Sequence, residues 1–338
     1  SVSLLSIFFK LHMKEQLVAK KILNWYDLNK RSLPWRKNVS LRKRQYFTLV
    51  SEFMLQQTQV ATVIPYFNRF IENIPDLKSL AKVQNKKLIK LWEGLGYYSR
   101  VRNLKKTAQI VIKNFNGKLP CNFEDLITLP GIGNYTASAI LAIAFNKPYI
   151  PLDGNIERVL KRYLYLRNAN EIQKDNIIKK KSIFGSSSRS SDYAQALMEL
   201  GALICKPTNP LCNQCPISKK CKSFKKKDFG LTKNIKKNIE KYFLLKVYKK
   251  DQRYLLIKNT KFNFLKNLTI FPMDELSKPK NFNENLNFKM SNMKMNIKIQ
   301  YLRNSKKFQS PYWISEKKLR NYMLPSFTKK IVKYLERN

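Results

Sequence analysis

Four cysteines lie within seventeen residues of this chain, at Cys205, Cys212, Cys215 and Cys221. Thiolates are soft ligands, so four of them in one short segment can hold a single metal centre. A disulfide framework is disfavoured, because the chain is long and shows no convincing secretion signal. Structural zinc sites usually pair their ligands as two CxxC units, and here a single pair has that spacing. The residues therefore predict a metal site, with zinc and an iron–sulfur cluster both open.

Glu52 is a carboxylate within a largely apolar helical segment, Phe47–Leu55. If it is buried, its pKa rises and it can hold a proton near neutral pH, as a general acid must. Most helical glutamates face solvent, and spacing alone does not distinguish the two cases. Gln56, Gln57 and Gln59 follow directly and indicate a polar surface suited to bases.

Gly131 and Gly133 stand in a Leu-Pro-Gly-Ile-Gly turn that precedes a helix-forming run. Such a turn can expose backbone N–H groups, and the positive end of the following helix attracts phosphate. An ordinary turn between packed helices is the alternative. Further along the chain, Asp153 in the segment Pro-Leu-Asp-Gly-Asn is a second candidate carboxylate.

The composition favours a polyanionic partner. Lysine and arginine number 66 against 22 acidic residues, which gives a net charge of +44. Binding to a polyanion should therefore depend strongly on salt. Lysine, asparagine and isoleucine are all abundant, as expected from A·T-rich coding sequence, so the charge alone does not identify DNA. A hydrophobic fraction of 43% suffices for a folded core, and 338 residues suggest two or three domains.

The elements that position these residues are mostly helices in the first two thirds of the chain. Apolar residues recur there at helical spacing, in Leu17–Tyr26, Tyr46–Val60, Leu88–Trp92, Leu104–Ile112 and Tyr135–Phe145. Residues 222–240 form a basic linker without a core pattern. Beyond it, three runs predict strands and one predicts a closing helix: Tyr242–Tyr248, Tyr254–Ile257, Ile297–Tyr301 and Phe327–Leu335. The sequence thus predicts a mainly α domain followed by a small α+β domain.

The N-terminal residues and the cysteine usage indicate in which cellular compartment the protein is expected. Met13 opens a stretch that reads as a natural protein start, so residues 1–12 are expected to be a disordered or non-native extension. No segment reaches the uninterrupted apolar length of a membrane span. Cysteine usage fits a reducing compartment, and a cytoplasmic location is expected.

Dense motifs, taken together, resemble the MutY family of adenine DNA glycosylases, which are helix-hairpin-helix enzymes. They occur in the family's order: Leu33-Pro-Trp35-Arg36, Ser51–Val60, Gly94–Asn103, the glycine turn, Leu152–Asn155 and the four cysteines. The resemblance runs from about Met13 to Cys221 and continues more weakly to the C-terminus. It implies a two-lobed glycosylase domain at 13–221, with its helix-hairpin-helix at 124–145 and a [4Fe–4S] loop at 205–221. A Nudix-like lesion-recognition domain is expected at 241–338.

The resemblance also implies an activity. Such an enzyme, expected here to be a monomer, binds double-stranded DNA, flips out an adenine mispaired with 8-oxoguanine or guanine, and removes it. By similarity, Glu52 protonates adenine N7 and Asp153 stabilises the oxocarbenium-like sugar. The remaining roles implied are pocket partners of the carboxylates (Tyr135, Asn155), adenine contacts (Trp35, Arg36, Leu55, Gln195), DNA contacts (Gln56, Gln57, Thr58, Tyr97, Gly131, Gly133) and ligands of one [4Fe–4S] cluster (Cys205, Cys212, Cys215, Cys221).

Two other functions compete with this one. An endonuclease III-like enzyme also cuts the backbone, but that chemistry needs an amine nucleophile, and Tyr135 stands where the family's lysine would be. A catalytically decayed iron–sulfur DNA-binding protein is the other, and the presence of both carboxylates argues against it. His12, the single histidine, lies in the doubtful extension, so histidine catalysis is not expected.

The last domain departs from the family's pattern. The glutamate-rich box of a pyrophosphohydrolase is missing, so no nucleotide hydrolysis is expected there. The family reads 8-oxoguanine with a Phe-Ser-His loop, and aligning the next strand places Met290-Ser291-Asn292 at that position. The serine is retained, whereas asparagine replaces histidine. Asn292 still offers a donor and an acceptor, which predicts recognition with a weaker preference.

Overall fold

The computed structural model describes most of the chain, namely residues 4–167, 184, 187–230, 239–266, 268–278, 281–290, 292–303, 311–319 and 324–337. Side chains of the first helix are described from Leu17 onward. Two compact units are present. The first comprises residues 1–84 and 99–233, and the second comprises residues 85–98 and 234–338.

The helices up to residue 225 are α1 (Leu4–Asn29), α2 (Leu41–Leu55), α3 (Val60–Asn73), α4 (Leu77–Lys82), α5 (Asn85–Leu91), α6 (Ser99–Asn114), α7 (Phe123–Thr128), α8 (Asn134–Phe145), α9 (Gly154–Leu164), α10 (Ser190–Glu199) and α11 (Lys222–Lys225). All except α5 belong to the first unit. Short turns of other helix types lie at Pro34–Arg36, Leu200–Ile204, Cys212–Gln214 and Ser218–Lys220. The mainly helical character predicted for this part is confirmed.

Helix α8 lies at the centre of the first unit. Its residues Thr136–Ala142 are all buried, as expected for a helix that is apolar on every side. It packs against α2 and α10, and α2 is itself buried from Tyr46 to Met54. A polar side chain within Tyr46–Met54 of α2 is thereby forced into the protein interior.

Two predicted boundaries differ from the structure. The helical pattern Tyr46–Val60 is interrupted, because α2 ends at Leu55 and α3 starts at Val60. Helix α1 starts at Leu4, so the predicted break after residue 12 does not coincide with the end of a helix. Within the described residues, each helix is too short or too polar to cross a membrane.

The predicted linker is wrong over its first part. Ser223 of α11 is fully buried, and the hydroxyl of Tyr165 donates to Asp228 at 2.9 Å. Arg162 donates to the Phe229 carbonyl from Nε at 3.2 Å. These contacts hold residues 222–230 on the first unit, where the lysine-rich composition had indicated a free connector.

The second unit is a small α+β fold. Its strands are β1 (Ile239–Lys250), β2 (Arg253–Lys258), β3 (Thr269–Ile270), β4 (Met273–Leu276), β5 (Leu286–Met290), β6 (Met293–Leu302) and β7 (Pro311–Ser315), and its C-terminal helices are α12 (Glu316–Leu319) and α13 (Ser326–Leu335). Strand β1 pairs antiparallel with β2 and β4 and parallel with β6. Strand β6 pairs antiparallel with β5, and β2 pairs antiparallel with β3 and β7.

Alternation along β1 builds the core of this unit. Phe243, Leu245 and Val247 are each fully buried, in keeping with the two-residue period of a strand. They share one apolar cluster with Phe327 and Ile331 of α13. The three predicted strands fall within β1, β2 and β6, and the predicted closing helix is α13.

Candidate active site

A cavity of about 950 Å³ lies in the first unit, at the ends of several helices. Its walls bring together twelve candidate residues predicted from the sequence: Trp35, Arg36, Glu52, Leu55, Gln56, Gln57, Thr58, Gln59, Tyr135, Asp153, Asn155 and Gln195. All four predicted catalytic residues and all four predicted adenine contacts are therefore in one place.

Glu52 is the central titratable group of the cavity. Its exposure is 5%, because the neighbouring residues of α2 are buried on both sides of it. Burial raises the pKa of its carboxyl to about 7, and the negative charge of Asp153 adds to that rise. The hydrogen bond with Tyr135 and the charge of Arg36 act in the opposite direction. Glu52 can thus carry a proton at neutral pH.

Tyr135 reaches the Glu52 carboxyl from the first turn of α8. Burial, together with the nearby carboxylates, raises the pKa of its phenol well above the ordinary value. The hydroxyl therefore stays protonated and donates to Glu52. Oε2 of Glu52 has no hydrogen-bond partner within the described part of the chain. That buried oxygen is available to a group that enters the cavity.

Asp153 caps the N-terminus of α9. Oδ1 accepts from the Ile156 backbone N–H at 2.7 Å, and Oδ2 accepts from Nδ2 of Asn155 at 3.0 Å. Burial raises the pKa of this carboxyl, whereas these hydrogen bonds oppose the rise. The helix terminus stabilises a negative charge at this position. Asp153 is thus a carboxylate with a fixed orientation beside a protonated acid.

Arg158 connects this carboxylate to the cysteine-rich segment. Nη2 of Arg158 donates to Oδ1 of Asn155 at 2.8 Å and to the Gly201 carbonyl at 2.7 Å. Nε donates to the Cys205 carbonyl at 2.7 Å. The orientation of Asn155, and through it that of Asp153, is therefore fixed by backbone that leads directly into the cysteines.

Gly201 is required by the same packing. A Cβ atom at this position would lie 2.5 Å from Cβ of Asn155, closer than real Cβ contacts allow. The turn Leu200–Ile204 can approach α9 this closely because Gly201 has no side chain.

The wall around Trp35 and Arg36 comes from the turn Pro34–Arg36. Trp35 packs edge to face on Phe67 with ring centroids 5.3 Å apart. Arg36 forms an ion pair with Glu199 at 2.8 Å, and Arg31 binds the same carboxylate. No role for Arg31, Glu199 or Arg158 was predicted from the sequence. The signal available for Glu199 was an acidic residue inside the apolar run Ala194–Ile204.

The segment between α2 and α3 holds the three polar residues Gln56, Gln57 and Thr58. Nη1 of Arg100 donates to the carbonyls of Phe53, Met54 and Gln56 at 3.1, 2.7 and 2.6 Å, and so ends α2. Gln57 adopts a left-handed conformation, with φ of 57°. This turn presents the glutamines at the rim of the cavity.

Gly131 and Gly133 lie in the turn between α7 and α8. Gly131 has φ of 83°, and a Cβ there would lie 2.7 Å from the Phe53 ring. Nε2 of Gln56 donates to the Gly131 carbonyl at 3.3 Å, and the Thr107 hydroxyl donates to the Pro130 carbonyl at 2.9 Å. The turn is thus attached to the end of α2, next to the cavity but outside its lining.

Two further predicted DNA contacts lie outside the lining of the cavity, and a third is not among the described residues. Tyr97 belongs to the second unit, is 44% exposed and has φ of 45°, whereas its neighbour Tyr98 is buried. Asn292 lies in the turn between β5 and β6, and its carbonyl accepts from the Ile239 N–H at 2.8 Å. Ser291 lies outside the described residues.

The four cysteines follow α10 and its terminal turn. Burial raises the pKa of Cys215 to about 12, and Cys205, Cys212 and Cys221 are close enough to raise it further. In the described residues, no three His, Cys, Asp or Glu side chains are close enough to hold one metal ion. Cys121 is an exposed free thiol.

Comparison with known proteins identifies the family. Residues 50–182 match the model of the HhH-GPD superfamily base excision DNA repair proteins. The adenine DNA glycosylase of Buchnera aphidicola from Schizaphis graminum is 38% identical over 262 residues, which are 75% of this chain and 74% of that protein. The human adenine DNA glycosylase is 41% identical over 213 residues, 60% of this chain and 38% of that protein.

Solved structures agree on the fold of the first unit. A thermostable thymine-DNA glycosylase superposes with a TM-score of 0.55 at 27% identity, over 63% of this chain and 98% of that one. A trapped endonuclease III–DNA covalent intermediate gives 0.51 at 22% identity, over 63% of this chain and 98% of that one, and it supports the fold alone. With 38% identity to the Buchnera enzyme over about three quarters of both proteins, the chain belongs to the adenine DNA glycosylase family.

Proposed function

We propose that this adenine DNA glycosylase of base excision repair removes adenine paired with 8-oxoguanine or guanine, and that it does so without cutting the strand. The observation that carries the proposal is the pairing of Glu52, with a pKa of about 7, and Asp153 at the start of α9 in one cavity. Two carboxylates in different environments can divide acid and charge-stabilising roles at a glycosidic bond.

The reaction follows from these positions. Adenine must leave the base stack to reach a cavity of this kind. Glu52 transfers its proton to N7 of the base, which makes neutral adenine the leaving group as the bond to C1′ breaks. Asp153 stabilises the cationic sugar, and water adds its hydroxyl to C1′. The remaining proton of that water returns to Glu52, so the products are adenine and an abasic site.

Tyr135 supports the monofunctional assignment. A lyase needs an amine that forms a Schiff base at C1′. At this position the chain has a phenol, which is hydrogen-bonded to Glu52 and whose raised pKa keeps it protonated. The side chain therefore holds the acid in place and offers no amine to the sugar.

The cysteine segment fits one [4Fe–4S] cluster, held by Cys205, Cys212, Cys215 and Cys221. Four mutually close thiols, three of which pack against the core of the first unit, are the donor set such a cluster takes. When bound, the cluster would cross-link residues 205–221. Arg162 would support that loop, since its Nη1 donates to the Lys206 carbonyl at 2.6 Å and to Sγ of Cys205 at 3.5 Å.

For DNA, we propose contacts from Gln56, Gln57 and Thr58 at the cavity rim and from the turn that contains Gly131 and Gly133. The excess of basic residues supplies non-specific attraction to phosphate. In the second unit, we propose a Nudix-like lesion-recognition fold in which Tyr97 contacts the duplex. The turn Met290–Met293 would read the base opposite adenine, through Ser291 and Asn292.

A product assay tests the proposal. Duplexes with A:8-oxoguanine, A:G and A:T pairs are incubated with the protein, and free adenine and strand breaks are measured separately. The expected result is adenine release from the first two duplexes, with breaks appearing after alkali alone. Efficient borohydride trapping of a covalent complex would favour the endonuclease III-like alternative. DNA binding without adenine release would favour a decayed enzyme.

A further inference from the structure

Glu199 is a fully buried carboxylate at the end of α10. It accepts hydrogen bonds from Nε and Nη2 of Arg31 at 2.8 and 2.9 Å. It also forms the 2.8 Å ion pair with Nη1 of Arg36. Two guanidinium groups thus meet on one carboxylate in the wall of the cavity, which is the kind of partnership that a buried charge requires.

Arg36 and Glu52 line the same cavity, and each has a buried polar atom that can still form a hydrogen bond. Nε of Arg36 and Oε2 of Glu52 both lack a hydrogen-bond partner within the described part of the chain. Between buried groups, a guanidinium and a carboxylate attract each other more strongly than they do in bulk water. A direct pair between them would keep Glu52 ionised and close the space that the base must enter.

We propose that Glu199 is a positioning residue, which holds the guanidinium of Arg36 on the cavity wall and so prevents it from pairing with Glu52. The inference rests on the proposed function, because it concerns how the acid keeps its proton. Arg36 already lowers the pKa of Glu52 from its present position, although burial outweighs that effect. A freed Arg36 would act from a shorter distance and more strongly.

The other charged groups nearby do not replace Glu199. The groups that act on Glu52 are Tyr135 from α8, Asp153 from the start of α9 and Arg36 from the turn Pro34–Arg36. Arg36 forms the ion pair with Glu199 and donates from Nη1 to the Arg31 carbonyl at 3.5 Å. It also lies close enough to Tyr26 for its charge to act on the phenol. Among these groups, Glu199 alone is a carboxylate paired with Arg36 in the described contacts, so its charge decides where the guanidinium lies.

The test measures single-turnover adenine release from an A:8-oxoguanine duplex between about pH 5 and pH 9. For the wild type, we expect the rate to fall above about pH 7, where Glu52 loses its proton. In Glu199→Gln, the fall should move to lower pH by about one unit or more, because Arg36 is released toward Glu52. In Arg36→Met, the fall should move to higher pH.

Two further variants serve as matched controls. Arg31→Met removes one guanidinium but leaves Glu199 paired with Arg36, so the fall should not move to lower pH. Asp192→Asn removes a negative charge from an exposed pair with Arg189 and should reproduce the wild-type profile. Thermal unfolding of each variant shows whether it is folded.

The outcomes separate the two proposals. An unshifted profile in folded Glu199→Gln would overturn the positioning role. If Glu199→Gln does not fold, Arg36→Met decides instead, because Glu199 remains paired with Arg31 in that variant. An unshifted pH profile in Arg36→Met would also overturn the positioning role. Failure of the wild type to release adenine from any duplex would instead overturn the proposed function.

Discussion

In the first unit, the predicted catalytic residues lie on packed helices, whereas in the second unit Asn292, a predicted lesion-reading residue, lies between strands β5 and β6. Glu52 and Tyr135 are fixed by α2 and α8 and by each other. The backbone carbonyl of Asn292 accepts a hydrogen bond from the Ile239 N–H. Chemistry at the first place depends on burial and exact distances, while recognition at the second depends mainly on which side chains the turn presents.

This difference explains how well each region could be interpreted. Most substitutions of a buried group with several partners disturb the fold. The residue types around such a group are therefore restricted, and they indicate where the group lies. A two-residue turn accepts many side chains, so its sequence says little about its position or its role. The predictions below test whether the two regions respond as differently as their packing suggests.

The largest expected effect is that of Glu52→Gln on catalysis. Glutamine has nearly the same shape but cannot deliver a proton, so excision should fall by about two to four orders of magnitude while DNA binding persists. Single-turnover adenine release and a binding titration measure the two properties. Glu157→Gln, which alters a half-exposed pair with Lys161, is the control. Excision within a few-fold of wild type in Glu52→Gln would remove Glu52 from the role of acid.

The same substitution should stabilise the protein at alkaline pH. The folded-state pKa of Glu52, about 7, exceeds its ordinary value of 4.5. Between these values the folded state binds more protons than the unfolded state, so the free energy of unfolding falls as pH rises. The difference between the two pKa values corresponds to a loss of at most about 3 kcal/mol in the free energy of unfolding above pH 7.

Urea unfolding of wild type and Glu52→Gln at about pH 4.5 and pH 8 checks the sign. The two proteins should be close in stability at the lower pH, and the variant should be the more stable at the higher pH. A wild type that is the more stable at pH 8 would mean that the ionised carboxylate is well accommodated and that the raised pKa is wrong.

Gly201→Ala tests the packing behind Asp153. The added methyl group would meet Asn155 at 2.5 Å, so α9 and the turn Leu200–Ile204 must separate. Overpacking of this kind costs about 1–3 kcal/mol of stability, and excision should fall because Asn155 no longer orients Asp153. Gly154→Ala, where the space is open, controls for the stability effect. Wild-type excision by Gly201→Ala would show that the close approach is not needed.

The smallest effects are expected in the second unit. Asn292→His should widen the preference for A:8-oxoguanine over A:G, and Ser291→Ala should narrow it. One good contact to a base is worth about 1–3 kcal/mol of discrimination. Excision and binding on the two duplexes measure the margin, with Lys289→Gln on β5 as a control for charge. If neither substitution changes the margin, this turn does not read the lesion.

Some interpretations were possible because they depend on local spacing. The apolar periodicity predicted helices α1, α2, α6 and α8 of the first unit and three strands of the second. The periodicity did not reveal the interruption between α2 and α3, because Val60 lies seven residues after Phe53 and so continues the helical spacing across the polar residues 56–59. The helix ends where Arg100, more than forty positions away along the chain, binds two of its carbonyls and that of Gln56.

The sequence by itself determined that carboxylates stand at positions 52 and 153, that four thiols follow within one short segment, and that position 135 has no amine, because these depend on residue type and order. Tertiary structure decided that Glu52 is buried and hence protonated near neutral pH, since a pKa depends on solvent exposure and nearby charges. It also decided that Glu199 meets Arg31 and Arg36, 168 and 163 positions away along the chain. Such contacts form where helices pack, and no local pattern specifies them.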